Sequence, residues 1–544
     1  MKVVDAIAHM LKAEGVEILF AYPVNPLIEA AAKVDIRTII VRQERIGLHM
    51  ADAISRLSSG KQIGVFCMQS GPGAENAFGG VAQAYGDSSP IVVIPGGYPR
   101  AYNQIQPNFN SALNYRHVTK SCEQLTDPAA LGEMMRRAFT AVRNGRPRPA
   151  LVEIPGDLWN AETDEPTSYR PAPSVRYGPD PAGVETVADA LLASERLVIY
   201  AGQGVHYAAA WDSLRELAEL LEAPVTTTLN GKSAFPENHP LALGSANRTH
   251  TRGVHEFLKK ADTIFGIGNS FSRTSFGVKM PPGKTYIHAT LDPADLNKDV
   301  VADYALLGDA ELTLRALIAA VGKRIGSGGR GRRAAVEAEI AAVNGTWLAE
   351  WMPKLTSDES PITPYRVIWE LMHAVDVANT IITHDAGSPR DQLSPFWQPT
   401  VPLSYLGWGK TTQLGFGLGL AMGAKLAHPD KLCINVWGDA AIGFTGMDFE
   451  TAVRERIPIL SILFNNFSMA CEIPIMGVST DKYGSTNISG NYAKMAEAFG
   501  GYGERIETVD QIVPAILRGI QKTQEGTPVL LEFLTAKELQ TSTF

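Results

Sequence analysis

Two short segments in the last quarter of the chain carry residue types suited to a metal ion and a phosphate. Gly438-Asp439-Ala440-Ala441 is followed, after an intervening stretch, by Asn465-Asn466. An Asp carboxylate and an Asn carbonyl are hard oxygen donors suited to Mg²⁺, which usually takes few protein oxygens while ligand phosphates complete its octahedron. Gly438 and Ala440 are small enough for the backbone to approach a diphosphate, whose charge a following helix N-terminus favours. Either piece alone is as readily a helix cap or a turn; the pairing is what points to a metal–diphosphate site.

The elements around these segments must bring them together. Residues 432–437 and 458–464 read as buried strands, with a helix over 447–454 between them. In such a βαβ unit the strands run parallel, so Asp439 and Asn466 emerge at one carboxyl edge, where open α/β sheets bind ligands. Glu44 occupies a comparable place near the N-terminus, between a strand at 38–41 and a helix at 45–57. A lone Glu there serves a helix dipole; beside a metal motif it becomes a candidate for chemistry. Ser70-Gly71-Pro72-Gly73 follows a strand at 62–67, and its glycines permit a tight turn and close approach to a flat ring.

Short β-rich runs alternate with amphipathic helices throughout, which predicts an α/β protein of three doubly wound parallel-sheet domains. The expected units are 1–165, 182–322 and 360–540, joined by a Pro-rich linker at 166–181 and a solvated Gly/Arg linker at 326–333. The first and third units read as related duplicates. The chain has 544 residues, 45% hydrophobic and 19% charged, with 49 basic and 57 acidic groups giving a net charge of −8. That balance favours solubility and gives no reason for nucleic-acid binding. The four cysteines form no CxxC pair, which fits a reducing compartment. There is no secretory leader pattern, and no apolar run approaches the roughly 20 residues needed to span a bilayer. A soluble, cytoplasmic protein is expected.

Gly-Asp-Gly or Gly-Asp-Ala, a helix, then Asn-Asn is the signature of thiamine diphosphate enzymes, and this chain resembles them over nearly its whole length. Within them it is similar to the acetolactate synthase and 2-oxo-acid decarboxylase group. The resemblance implies a pyrimidine-binding domain, a central domain and a diphosphate-binding domain. It implies Mg²⁺ held by Asp439, Asn466 and the main-chain oxygen of Ser468, with Gly438, Ala440 and Ala441 near the diphosphate. Gly387 and Ser388 would flank that diphosphate, and Leu414 would hold the cofactor bent. Arg42-Gln43-Glu44-Arg45 resembles the family's glutamate motif, so Glu44 would bond the pyrimidine ring nitrogen and promote proton loss at the thiazolium carbon. Gly73 belongs to the family's turn in the pyrimidine domain.

Two segments depart from a standard acetolactate synthase. Val24-Asn25 replaces a glycine pair in a loop that faces substrate in relatives, making Asn25 a candidate hydrogen-bonding group. Glu472 matches a decarboxylase glutamate placed near the reacting carbon of the cofactor. Three readings stand for Glu472: a proton donor or acceptor, a substrate hydrogen-bonding group, or a surface residue at the end of a helix. Desolvation between Cys471 and Ile473 would raise its pKa to values suited to acid catalysis. His49 reads as a structural helix residue. In relatives the central domain holds FAD, ADP or nothing; Ala201-Gly202-Gln203-Gly204 is not a dinucleotide fingerprint. The expectation is a Mg²⁺- and thiamine diphosphate-dependent decarboxylase or carboligase for a small 2-oxo acid. It would be a homodimer or homotetramer with its site at the subunit interface. The alternatives are a 2-hydroxyacyl-CoA lyase and a cofactor-binding protein without turnover.

Overall fold

The computed structural model describes every residue except 104, 165–168 and 412. Buried β-branched runs form three six-stranded sheets, and every pairing of neighbouring strands within them is parallel. The central strands, covered on both faces by helices, are apolar throughout rather than alternating, whereas edge strands such as Ser121–Gln124 and Tyr502–Ile506 are largely half-buried. With strands numbered along the chain within each sheet, the first and third share the order 2-1-3-4-6-5, which supports the reading of duplicates. The central sheet has the order 6-5-4-1-2-3. In the third sheet, Thr380–His384 and Leu432–Gly438 are neighbours whose following connections leave in opposite directions. Such a switch point opens a crevice at the carboxyl edge.

The first and third units meet through two helices, Glu44–Leu57 and Phe416–Ala427. The second presents glycines. A Cβ on Gly419 would stand 2.6 Å from His49 Cβ, and one on Gly423 would stand 2.5 Å from the Met50 carbonyl oxygen. The backbones touch, so neither position has room for a side chain. The contact is fastened by buried charge: Arg56 donates to Asp52 at 2.6 and 2.9 Å and to the Gly407 carbonyl at 2.7 Å. His49 packs edge-on against Phe416 with ring centroids 4.6 Å apart, as a structural residue would. Burial pushes its imidazole well below the ordinary value, so it is neutral.

The linker at 326–333 is exposed at 326–328, 331 and 333, but its middle is pinned to the central unit. Arg330 donates to the Leu192 carbonyl at 2.8 Å, and the amides of Gly331 and Arg332 donate to Glu222 at 3.1 and 2.5 Å. The arginine thus satisfies a carbonyl left open near the end of helix Pro181–Ala193. An unanticipated helix, Arg333–Leu355, follows and buries Ile340, Trp347, Trp351 and Leu355. The Pro-rich linker also packs where it is described: the Tyr169 hydroxyl donates to Glu14 at 2.6 Å. Its first residues, 166–168, lie outside the described residues. Among the described residues no helix is long and apolar enough to cross a membrane.

Gly423→Ala should lower the thermal midpoint, because overpacking a filled contact costs about 1–3 kcal/mol. Gly345→Ala, in an exposed helix position with nothing within 4 Å, should hold or raise it. Equal midpoints for Gly423→Ala and the parent would remove the helix contact as a constraint.

Candidate active site

Asp439 ends the strand Leu432–Gly438 and opens a helix, Asp439–Thr445. The helix therefore begins at once rather than at residue 447; a 3₁₀ turn, Gly446–Asp448, separates it from Phe449–Arg454. The neighbouring parallel strand, Leu460–Asn465, delivers the asparagines to the same edge. One Asp439 oxygen accepts from the amides of Asn466 and Ser468, both at 3.1 Å, and the other from the Ala440 amide at 2.9 Å. Burial pushes this carboxyl up from its ordinary value, and those amides pull against the shift.

The two asparagines divide the work. Asn465 is consumed by the fold: its amide donates to Glu532 at 2.6 Å and its oxygen accepts from the Phe467 amide at 3.1 Å. Asn466 Oδ1 is buried without a partner, an expensive condition for a polar atom. Phe467 holds φ 56°, a left-handed conformation that a bulky residue rarely adopts and that marks strain in this loop.

Gly387 and Ser388 follow the adjacent strand. Gly387 has φ 79° and ψ −148°, and nothing lies within 4 Å of where a Cβ would stand. Space and backbone are thus both open there. The Ser388 hydroxyl lies 2.9 Å from Cys471 Sγ, which brings the Glu472 segment beside it. The reading of the sequence missed Asp385. This fully buried carboxylate accepts from the amides of Ala386, Gly415 and Gly417 at 2.7, 2.9 and 3.0 Å. It ties the strand end to the turn bearing Leu414. Burial raises it to about 6, opposed by the same amides. The available signal was an acid ending a buried strand two residues before a glycine. The partly buried Leu414 has its carbonyl bonded by Arg45 at 3.2 Å.

Glu44 is the first residue of its helix and only 2% exposed. Burial raises its carboxyl, partly offset by its own amide and by the Asn76 side chain. A Cβ on Gly73 would stand 3.4 Å from Glu44 Oε1, so the glycine turn and the carboxyl face each other. The Tyr115 hydroxyl donates to the Ala74 carbonyl and closes this pocket. Asn25 starts a helix, Asn25–Lys33, and is exposed. Glu472 lies in a 3₁₀ turn, Ala470–Glu472, and is exposed in the single chain, so Cys471 and Ile473 do not desolvate it. Of the flanking residues, Cys471 is exposed and Ile473 half-buried.

These residues fit a Mg²⁺–diphosphate group. Asp439 is a fixed carboxylate, Asn466 offers an unused buried oxygen, and Gly387 leaves the backbone open. Among the described residues no cluster of three or more His, Cys, Asp or Glu is placed to hold a metal ion. A second concavity, a cleft of about 1310 Å³, opens at the carboxyl edge of the central sheet and includes Tyr200, Gln203, Asn269, Asp309 and Lys410. There Gly204 lies against Gly268, each of whose Cβ positions would be 2.8 Å from the other segment. The central glycine turn therefore serves close packing.

Three family profiles match in chain order: "Thiamine pyrophosphate enzyme, N-terminal TPP binding domain" over residues 1–125, the family's central domain over 184–317, and its C-terminal TPP binding domain over 385–533. The chain is 31% identical to the probable acetolactate synthase large subunit of Methanocaldococcus jannaschii, across 98% of this chain and 92% of that one. It is 31% identical to the probable acetolactate synthase large subunit of Methanococcus aeolicus, across 97% and 91%. With the acetolactate synthase isozyme 3 large subunit of Escherichia coli it shares 27% identity across 97% and 94%. Likeness of this extent, on a fold with three parallel sheets, shows that the chain belongs to the thiamine pyrophosphate enzyme family.

Proposed function

We propose that the protein is a Mg²⁺-dependent, acetolactate synthase-like enzyme that decarboxylates a small 2-oxo acid and joins the remainder to a second carbonyl. The observation that carries this is the Asp439 carboxylate, locked by the amides of Asn466 and Ser468 beside the partnerless Asn466 oxygen. When bound, thiamine diphosphate supplies a carbon nucleophile and an electron sink for cleavage next to a carbonyl.

The chain's own residues supply the rest. Asp439, Asn466 and the Ser468 carbonyl hold the metal, and Gly387, Ser388, Gly438, Ala440 and Ala441 line the diphosphate. Leu414 shapes the cofactor's bend, held in place by Asp385. Glu44, a buried carboxyl whose pKa burial raises, bonds the pyrimidine nitrogen and exchanges a proton with it. Glu472 and Asn25 face the substrate, Glu472 as a proton donor or acceptor. Their exposure is completed by a second copy of the chain. Support comes from the exposed Phe444, Met447, Ile475, Val478 and Tyr483, apolar side chains on the segments that follow Asp439 and Asn466. The dimer or tetramer works in the cytoplasm, and its central cleft takes FAD or ADP.

Asp439→Ala should keep the fold and weaken thiamine diphosphate binding about 10- to 100-fold, the scale of a lost charged interaction. Titration calorimetry at fixed Mg²⁺ measures it, and unchanged affinity would reject the metal assignment. For the reaction, carbon dioxide release from a panel of 2-oxo acids should depend on both thiamine diphosphate and Mg²⁺. Cleavage of a 2-hydroxyacyl-CoA with no release from any 2-oxo acid would make the protein a lyase. Cofactor binding without turnover of either class would make it a binding protein.

A further inference from the structure

Lys410 lines the central cleft together with Arg146, Ser270 and Asp295. Its ammonium carries three donors but has one hydrogen-bond partner among the described residues, the Ser270 hydroxyl at 3.2 Å. The nearby acids are occupied elsewhere. Asp87 accepts from the amides of Gly409 and Lys410, both at 3.2 Å, and from Gln83 at 2.7 Å, with Arg56 at 3.5 Å. Asp295 pairs with Arg146 at 2.5 Å and with Lys298 at 3.1 Å. Arg146 also reaches Asp292 at 4.0 Å and Lys298 reaches Asp299 at 3.9 Å, whereas among the described residues no carboxylate forms an ion pair with Lys410. Burial pushes the Lys410 ammonium down to about 7, with Arg146 and Lys298 acting the same way and Asp87 and Asp295 opposing.

A cation so placed is satisfied best by an anion arriving from the cleft, which would fill its free donors with charge-assisted bonds and offset the repulsion of Arg146. A phosphate offers that chemistry. The position also has a connection to the active site. Lys410 stands four residues before Leu414, on a segment fastened to the first unit through Thr411, which donates to Gln83 at 2.6 Å. An anion bound at Lys410 thus sits on the same stretch of chain that shapes the cofactor crevice.

We propose that Lys410, with Arg146 and Ser270, forms an anion subsite that binds a phosphate group of the central cleft's ligand. The proposal rests on reading the cleft as a ligand site, and the experiment separates the two. Protein saturated with thiamine diphosphate at fixed free Mg²⁺, so that the diphosphate edge is filled, is titrated calorimetrically with inorganic pyrophosphate and with ADP. Both should bind the parent. Lys410→Met should weaken both about tenfold or more, Lys410→Arg should stay within about threefold, and Ser270→Ala should cost about two- to tenfold, the range of a neutral hydrogen bond. Retained thiamine diphosphate affinity verifies the fold of each variant; should Lys410→Met not fold, Ser270→Ala and Lys410→Arg decide. ADP binding unchanged by these substitutions overturns the subsite and leaves the cleft as a nucleotide site. Lys410-dependent pyrophosphate binding without ADP binding upholds the subsite and overturns the nucleotide reading. Binding of neither probe overturns both.

Discussion

The backbone-to-backbone contact between helices Glu44–Leu57 and Phe416–Ala427 is the constraint on which the site depends. Each helix begins at a residue to which the proposed function gives a role: Glu44 itself on one, and the Leu414–Gly415 turn immediately before the other. With Gly419 and Gly423 against His49 and Met50, the helices cannot slide apart without opening a void or together without a clash. The buried Arg56–Asp52 pair and the Gly407 carbonyl add a second, directional lock. Breaking one partner of a buried pair leaves an uncompensated charge and costs about 3–5 kcal/mol, so this interface resists local rearrangement. Asp385 extends the lock to the crevice by holding the amides of Gly415 and Gly417.

Much of this was legible in the sequence because strands and helices alternate with strong periodicity and the metal motif has a fixed place at strand ends. Asp439, Asn466, Glu44 and Gly73 all lie where the pattern of elements put them. What escaped was long-range. Asp385 looks like any strand-end acid until the amides of Gly415 and Gly417, thirty residues away or more, close on it. The Gly/Arg stretch at 326–333 has a linker's composition, yet its amides and arginine match acceptors on Glu222 and Leu192 that no local pattern reveals. The helix Arg333–Leu355 was missed because few of its positions are buried, the clearest being Trp347, Trp351 and Leu355 at four-residue spacing.

Glu472 shows the opposite lesson. Its neighbours Cys471 and Ile473 suggested burial, but flanking residues along a chain do not determine what covers a side chain. The single chain leaves Glu472 in solvent, on a loop whose apolar neighbours Ile475 and Val478 are also uncovered. The exposed carboxyl and the exposed apolar surface have one common explanation in a second copy packed over this edge, which would desolvate both together.

The central claim, that Asp439 and Asn466 form a metal–diphosphate crevice, is tested most directly by anomalous diffraction from crystals grown with thiamine diphosphate and Mn²⁺ in place of Mg²⁺. The account predicts a manganese peak bounded by the Asp439 carboxylate, the Asn466 side-chain oxygen and the Ser468 carbonyl, with diphosphate density beside Gly387. A manganese peak elsewhere, or cofactor density away from this edge, would contradict it.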